Sequence, residues 1–116
     1  MQLPLIIGLS TRIFHPRSGV KYNEASLLAA LEFINNFNKD SELSRKVKIK
    51  EINLKNINDV FLFTTTDCKI NLGTIASLNK RLSMLQKLVS DIDAELANIE
   101  YIDLRFREPV LKYKHR

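Results

Sequence analysis

Val60-Phe61-Leu62-Phe63-Thr64, Thr65-Thr66-Asp67 and Cys68-Lys69-Ile70-Asn71-Leu72-Gly73 read together as a β-hairpin. The first run is apolar on both faces, as a central strand should be. Phe61 and Phe63 share one side of it and read as core residues. Thr65-Thr66-Asp67 turns the chain. The second run alternates cleanly, which puts Cys68, Ile70 and Leu72 on one face, and Gly73 ends it.

The hairpin leads into the most regular pattern in the chain. Ile75, Leu78, Leu82, Leu85, Val89, Ile92, Leu96 and Ile99 recur at alternating steps of three and four residues. That spacing places them on one helical stripe roughly 36 Å long. A helix with such a stripe must bury it, because ordering each residue costs about 1–2 kcal/mol. The sheet of the same domain is the expected partner surface. A homodimeric coiled-coil seam is the alternative.

Working outward, Val47 to Leu54 alternates but changes parity at Lys50-Glu51, which marks a bulge or a break in the strand. Further upstream, Asn23 is suited to cap a helix running to about Phe37. Leu27, Leu31 and Ile34 form its stripe, widened by Ala30, Phe33 and Phe37. Asn35-Asn36 and Asn38-Lys39-Asp40-Ser41 favour its end. Residues 10–22 read as a loop and Leu3 to Leu9 as an apolar run broken by Pro4 and Gly8. Downstream, Ile102, Leu104 and Phe106 alternate with Asp103 and Arg105 as in a half-buried strand. Val110 to Lys114 follows after Arg107-Glu108-Pro109. Proline is tolerated at a strand start, so the C-terminus reads as a hairpin with an edge strand. The fold class is α+β: a mostly antiparallel, mixed β-sheet with two helices packed on it and a C-terminal β-hairpin. No linker or repeat interrupts it, so residues 1–116 read as one domain.

The composition narrows the function classes. The chain has 116 residues, 45% hydrophobic and 27% charged, which is ordinary globular usage. One cysteine cannot form an internal disulfide, and its place in an apolar strand stripe reads as core. No apolar run approaches the roughly 20 residues of a membrane span, and the first nine residues lack the basic leader of a signal peptide. Catalysis needs a nucleophile, a base and a group that holds developing charge. His15 lies in a loop and His115 next to the last residue. Ser10 lacks the glycines of a nucleophile elbow, and three glycines supply no phosphate loop. The acidic Asp91, Asp93, Glu95 and Glu100 read as a solvated face rather than a metal site. The expectation is no enzyme and no cofactor.

The net charge of +5 is concentrated at the end of the chain. Arg105, Arg107, Lys112, Lys114 and Arg116 face Glu108 alone, a net +4, and the other 104 residues carry +1. A basic end steers acidic partners, nucleic acid or anionic lipid, or protects an edge strand against aggregation. Arg45, Lys46, Lys48, Lys50 and Lys55 make a second cluster. A small basic nucleic-acid-binding domain is therefore an alternative reading, although no basic helix face or base-stacking pattern accompanies it.

The order of these segments resembles a known family. Asp67-Cys68-Lys69-Ile70-Asn71-Leu72-Gly73, a Leu-rich helix, Tyr101-Ile102-Asp103-Leu104-Arg105-Phe106 and a short last strand resemble the C-terminal β domain of the bacterial cell-division family FtsQ, called DivIB in Gram-positive bacteria. Leu3-Pro4-Leu5-Ile6-Ile7-Gly8-Leu9 resembles the run that opens that domain. The resemblance implies a single-pass inner-membrane parent protein. Its transmembrane helix and POTRA domain, absent from this chain, precede a β domain on the extracytoplasmic side. It also implies a non-catalytic scaffold that binds the coiled-coil partners FtsB and FtsL (DivIC and FtsL in Gram-positives) by strand addition to the last strand. Arg105 then matches an arginine that faces an acidic partner side chain, and Phe106 matches the aromatic after it, without the usual hydroxyl. Val110, Leu111, Lys112, Tyr113 and Lys114 fall on the pairing strand. On the residues alone, Arg105 also reads as a solvated strand arginine, and Phe106 as a core residue beside Ile102 and Leu104. The helix stripe is then core rather than a dimer seam, and the domain is expected to be a monomer without a small-molecule substrate.

Overall fold

Two helical crossovers and three hairpin connections build the sheet. A computed structural model describes residues 5–7, 18–91 and 96–114. Strand β1 (Leu5–Ile7) is followed by helices α1 (Ser18–Lys39) and α2 (Ser41–Lys46). Strands β2 (Ile49–Asn53), β3 (Val60–Thr64) and β4 (Lys69–Gly73) come next. Helix α3 (Leu78–Asp91) leads to β5 (Ile99–Asp103) and β6 (Val110–Tyr113). The six strands lie side by side in chain order. Pairs β1–β2 and β4–β5 are parallel, and each is joined through helix. The other three pairs are antiparallel. That division is what connection length dictates, since a tight turn joins only antiparallel neighbours.

The register sets up one buried row. Ile52, Leu62, Ile70, Ile102 and Leu111 stand opposite one another across five strands. The first four are fully buried and Leu111 packs against them. Phe33 and Phe37 of α1 and Leu82, Leu85 and Val89 of α3 belong to the same core. The next register row, on the opposite face, is Glu51, Phe63, Lys69, Tyr101 and Lys112. Phe61 and Phe63 lie on this face, half-buried, with ring centroids 5.4 Å apart and Lys69 Nζ 4.3 Å from the Phe61 centroid. Reading them as core was wrong. An apolar residue on each face of a strand does not require a layer of helices on each face when two rings and a lysine stem cover one another.

Several local readings hold. The parity change in β2 is a register shift between Ile49 and Glu51. The β3–β4 turn closes on the buried Thr64 hydroxyl, which accepts the Cys68 N–H at 3.1 Å and bonds the Thr66 hydroxyl at 2.9 Å. Cys68, Ile70 and Leu72 are buried together. Burial pushes the Cys68 thiol up to about 11, so it is an inert core residue near neutral pH.

The helices depart from expectation in three ways. First, α1 begins at Ser18, with Asn23 inside it. Extending a formed helix adds a hydrogen bond per residue fixed, and interior asparagine costs only a few tenths of a kcal/mol. The rest of the expected loop, residues 10–17, lies outside the described residues. The buried face of α1 carries Ser26, Ala30, Phe33, Ile34 and Phe37, whereas Leu31 is 42% exposed. Small Ser26 and Ala30 let the helix approach closely, and the two rings fill the space that a leucine stripe was expected to fill.

Second, α2 was not anticipated. Asp40 caps it by accepting the Leu43 N–H at 3.0 Å, and Leu43 and Val47 are buried. Third, α3 is 14 residues long, and the eight-residue stripe is not one helix. A one-turn 3-10 segment, Ile75–Ser77, precedes it, another spans Leu96–Asn98, and Ile99 opens β5. Ile92 lies outside the described residues. Ile99 fits both periods because β5 carries a register shift between Ile99 and Tyr101, which leaves Ile99 and Ile102 buried three positions apart.

Candidate partner-binding site

Strand β6 pairs with β5 on one side, and among the described residues no strand pairs with the other. Its open side has a defined set of backbone groups. The Lys114 N–H donates inward to the Asn98 carbonyl at 2.8 Å. Backbone polar groups of successive strand residues point to alternate sides. Lys112 and Val110 therefore face β5, opposite Tyr101 and Asp103. Leu111 and Tyr113 turn their N–H and C=O outward.

The side chains around this edge split into anchors and free surface. Leu111 reaches the core, and Lys112 pairs with Glu100 at 3.3 Å. Lys114 Nζ donates to the Thr66 carbonyl at 2.7 Å, which ties the end of β6 to the β3–β4 turn. Val110 and Tyr113 are 43% and 51% exposed. Phe106 is 54% exposed, so it is not a core neighbour of Ile102 and Leu104. The expected strand to Phe106 stops at Asp103, and the alternation that would have buried Phe106 ends with it.

Arg105 is held, not free. Asp103 Oδ1 accepts both the Arg105 backbone N–H and Nε–H at 3.0 Å, and Oδ2 accepts Nη2–H at 2.7 Å. This hydrogen bonding from Arg105 holds the Asp103 carboxyl below the usual carboxylate range despite its burial. The same bonds raise Arg105 further above its already high value. Arg105 Nη1 also faces Asp59 Oδ1 at 3.8 Å, and Arg81 Nη2 donates to the Arg105 carbonyl at 3.4 Å. The guanidinium keeps an exposed side next to the Phe106 ring, 5.6 Å from its centroid. Gly73, at φ +78°, makes room, since a Cβ there would lie 3.3 Å from Arg105 Cγ.

The fold thus gathers Val110, Leu111, Lys112 and Tyr113 on one edge, with Lys114 at one end and Arg105 and Phe106 at the turn before the other. It also adds residues that sequence reasoning missed. Asp103 was legible as a short acceptor two positions before Arg105, but it was read as the polar half of a strand alternation. Asp59 and Arg81 left no local signal. The second basic cluster is partly neutralised: Lys46 pairs with Glu42 at 3.2 Å and Lys50 with Asp67 at 3.8 Å. Among the described residues, no three His, Cys, Asp or Glu side chains converge as metal ligands would, and no helix is long and apolar enough to cross a membrane.

The family model of the cell division protein FtsQ/DivIB, C-terminal, matches residues 2–105. The chain belongs to the FtsQ/DivIB family. It is therefore a cell-division protein of a membrane-anchored, non-enzymatic scaffold family, whose members work with partners in the divisome. The match covers β1 to β5 and ends at Arg105, so Phe106 and the whole of β6 lie beyond it. No curated protein sequence matches the chain.

Proposed function

We propose that this FtsQ/DivIB-type chain is a non-catalytic divisome scaffold domain that receives a strand from an FtsB/FtsL-type (DivIC/FtsL) coiled-coil partner on β6. The observation that carries this reading is the unpaired edge of β6, with the Leu111 and Tyr113 backbone groups turned outward. An incoming strand would gain main-chain hydrogen bonds there, while exposed Val110, Tyr113 and Phe106 would supply apolar contact. The side of Arg105 left open by its fork with Asp103 is available to an acidic partner residue.

In this reading residues 1–116 form one monomeric domain that uses no cofactor. The parent protein is single-pass in the cytoplasmic membrane, with its transmembrane helix and POTRA domain preceding this one and this domain on the extracytoplasmic side. The test is proline substitution on the open edge. Leu111→Pro removes an outward N–H but also a core contact. Tyr113→Pro removes an outward N–H from an exposed residue and leaves the inward bond of Lys114 in place. Tyr113→Pro should lose the partner in a pull-down with the far-ultraviolet circular dichroism unchanged. Normal partner recovery with this variant would reject strand addition.

A further inference from the structure

The edge strand buries little of its own. Among the side chains of β6, Leu111 packs on the core, while Val110, Lys112 and Tyr113 are exposed. Its pairing is one-sided, and a strand so placed frays unless its ends are fixed. One end is fixed by Lys114, through its N–H to Asn98 and its Nζ to Thr66. The other end is the turn that follows β5, and there the bonding is unusually dense. A single carboxylate, Asp103, holds both the backbone and the side chain of Arg105. The flanking Leu104 N–H bonds the Asn71 carbonyl at 3.0 Å. Arg81 of α3 and Asp59 of the β2–β3 loop reach the same arginine from two further elements. The strongest of these contacts are charge-assisted hydrogen bonds to a carboxylate that is itself 10% exposed, where such bonds are stronger than in water.

We infer that Asp103 is a positioning residue for the partner-accepting edge: acting through Arg105, it holds the turn before β6 so that the strand stays paired to β5 with its free backbone groups presented outward. The inference rests on reading β6 as the binding edge, but its first test does not. A carboxylate that merely stabilised the domain would protect every strand alike. A positioning carboxylate protects β6 selectively, because β3 and β4 have neighbours on both sides and fully buried side chains at Leu62 and Ile70.

The experiment is amide hydrogen exchange by NMR on the whole chain, comparing the native protein with Asp103→Asn. Asparagine keeps the shape and can still accept the Arg105 N–H, but it gives up the charged fork. The Lys112 and Lys114 amides, which face inward, should exchange about tenfold faster, the scale of one lost charge-assisted bond. The Leu62 and Ile70 amides should change by less than about twofold. Glu108→Gln, in the same turn and with no ion pair among the described residues, should change neither set. Uniform acceleration across all strands, or no acceleration in β6, overturns the inference. The consequence for binding is read from a photo-reactive residue at position 113. Asp103→Asn should lower partner capture about tenfold while the domain stays folded, and undiminished capture overturns the role in presentation. Failure of the strand reading is recognised separately, by Tyr113→Pro retaining its partner whatever the exchange data show.

Discussion

Two of the antiparallel hairpins, β3–β4 and β5–β6, differ in what surrounds their strands. The β3–β4 hairpin sits mid-sheet, closes on a neutral hydroxyl network at Thr64 and buries Leu62 and Ile70 completely. The β5–β6 hairpin ends the sheet, closes on the Asp103–Arg105 fork and leaves two of its last strand's apolar residues about half exposed. A core hairpin is specified by burial, and its turn needs little more than satisfied donors. The edge strand of the second hairpin, β6, gains little from burial and relies on its anchors. The difference marks which of the two is suited to hold the fold and which to meet another protein.

Substitutions that exchange the demands of the two hairpins should show this first. Ile70→Ala should lower unfolding stability by about 2–5 kcal/mol in a urea titration. Tyr113→Ala should stay within about 0.5 kcal/mol, as expected for an exposed position. Equal losses would mean that β6 is part of the structural core. The turns give a smaller effect. Thr64→Val strands the Cys68 N–H and should cost about 1–3 kcal/mol by the same titration.

A pH series sharpens the contrast further. Asp103 has a folded value below its unfolded one, so its stabilisation is full above the ordinary carboxylate range and is lost as pH falls through the folded value. The stability gap between native protein and Asp103→Asn, measured by denaturation from neutral pH downward, should therefore be constant at first and close below about pH 4. A gap that widened on acidification would have the wrong sign. The smallest effect is chemical: with its thiol pushed up to about 11 and buried in the core, Cys68 should resist alkylation at neutral pH until denaturant unfolds the domain. Rapid labelling of the native chain would contradict its place in the core.

Much of this arrangement was legible in the residues. The β3–β4 hairpin, the bulge in β2, the edge character of β6 and the proline before it follow from two-residue alternation and its interruptions, which are local. The misreadings came from patterns that two structures share. The stripe from Ile75 to Ile99 satisfies a helix throughout, yet a strand bulge lets Ile99 satisfy it from β5. Leu31 looked more like a core residue than Ser26, but close packing of α1 favoured the smaller side chain. Phe106 continued an alternation that Asp103 had already ended by bonding forward to Arg105. Asp59 and Arg81 reach Arg105 only because the sheet and α3 bring distant segments together, and no sequence period encodes that meeting. Arg105 itself was found through family resemblance. Its fork with Asp103 forms only because the chain turns after β5, which the alternation does not encode.

In the proposed reading β6, rather than the basic β2 region, meets the partner. This is tested most directly by site-specific photo-crosslinking in the native cell from Lys112 and Tyr113, with Lys48 and Lys50 as comparison sites and mass spectrometry of what is caught. Capture of a small single-pass protein with a heptad-rich segment is expected from Lys112 and Tyr113, and little from Lys48 or Lys50. Capture from Lys48 and Lys50 with none from β6, or capture of nucleic acid, would contradict that reading.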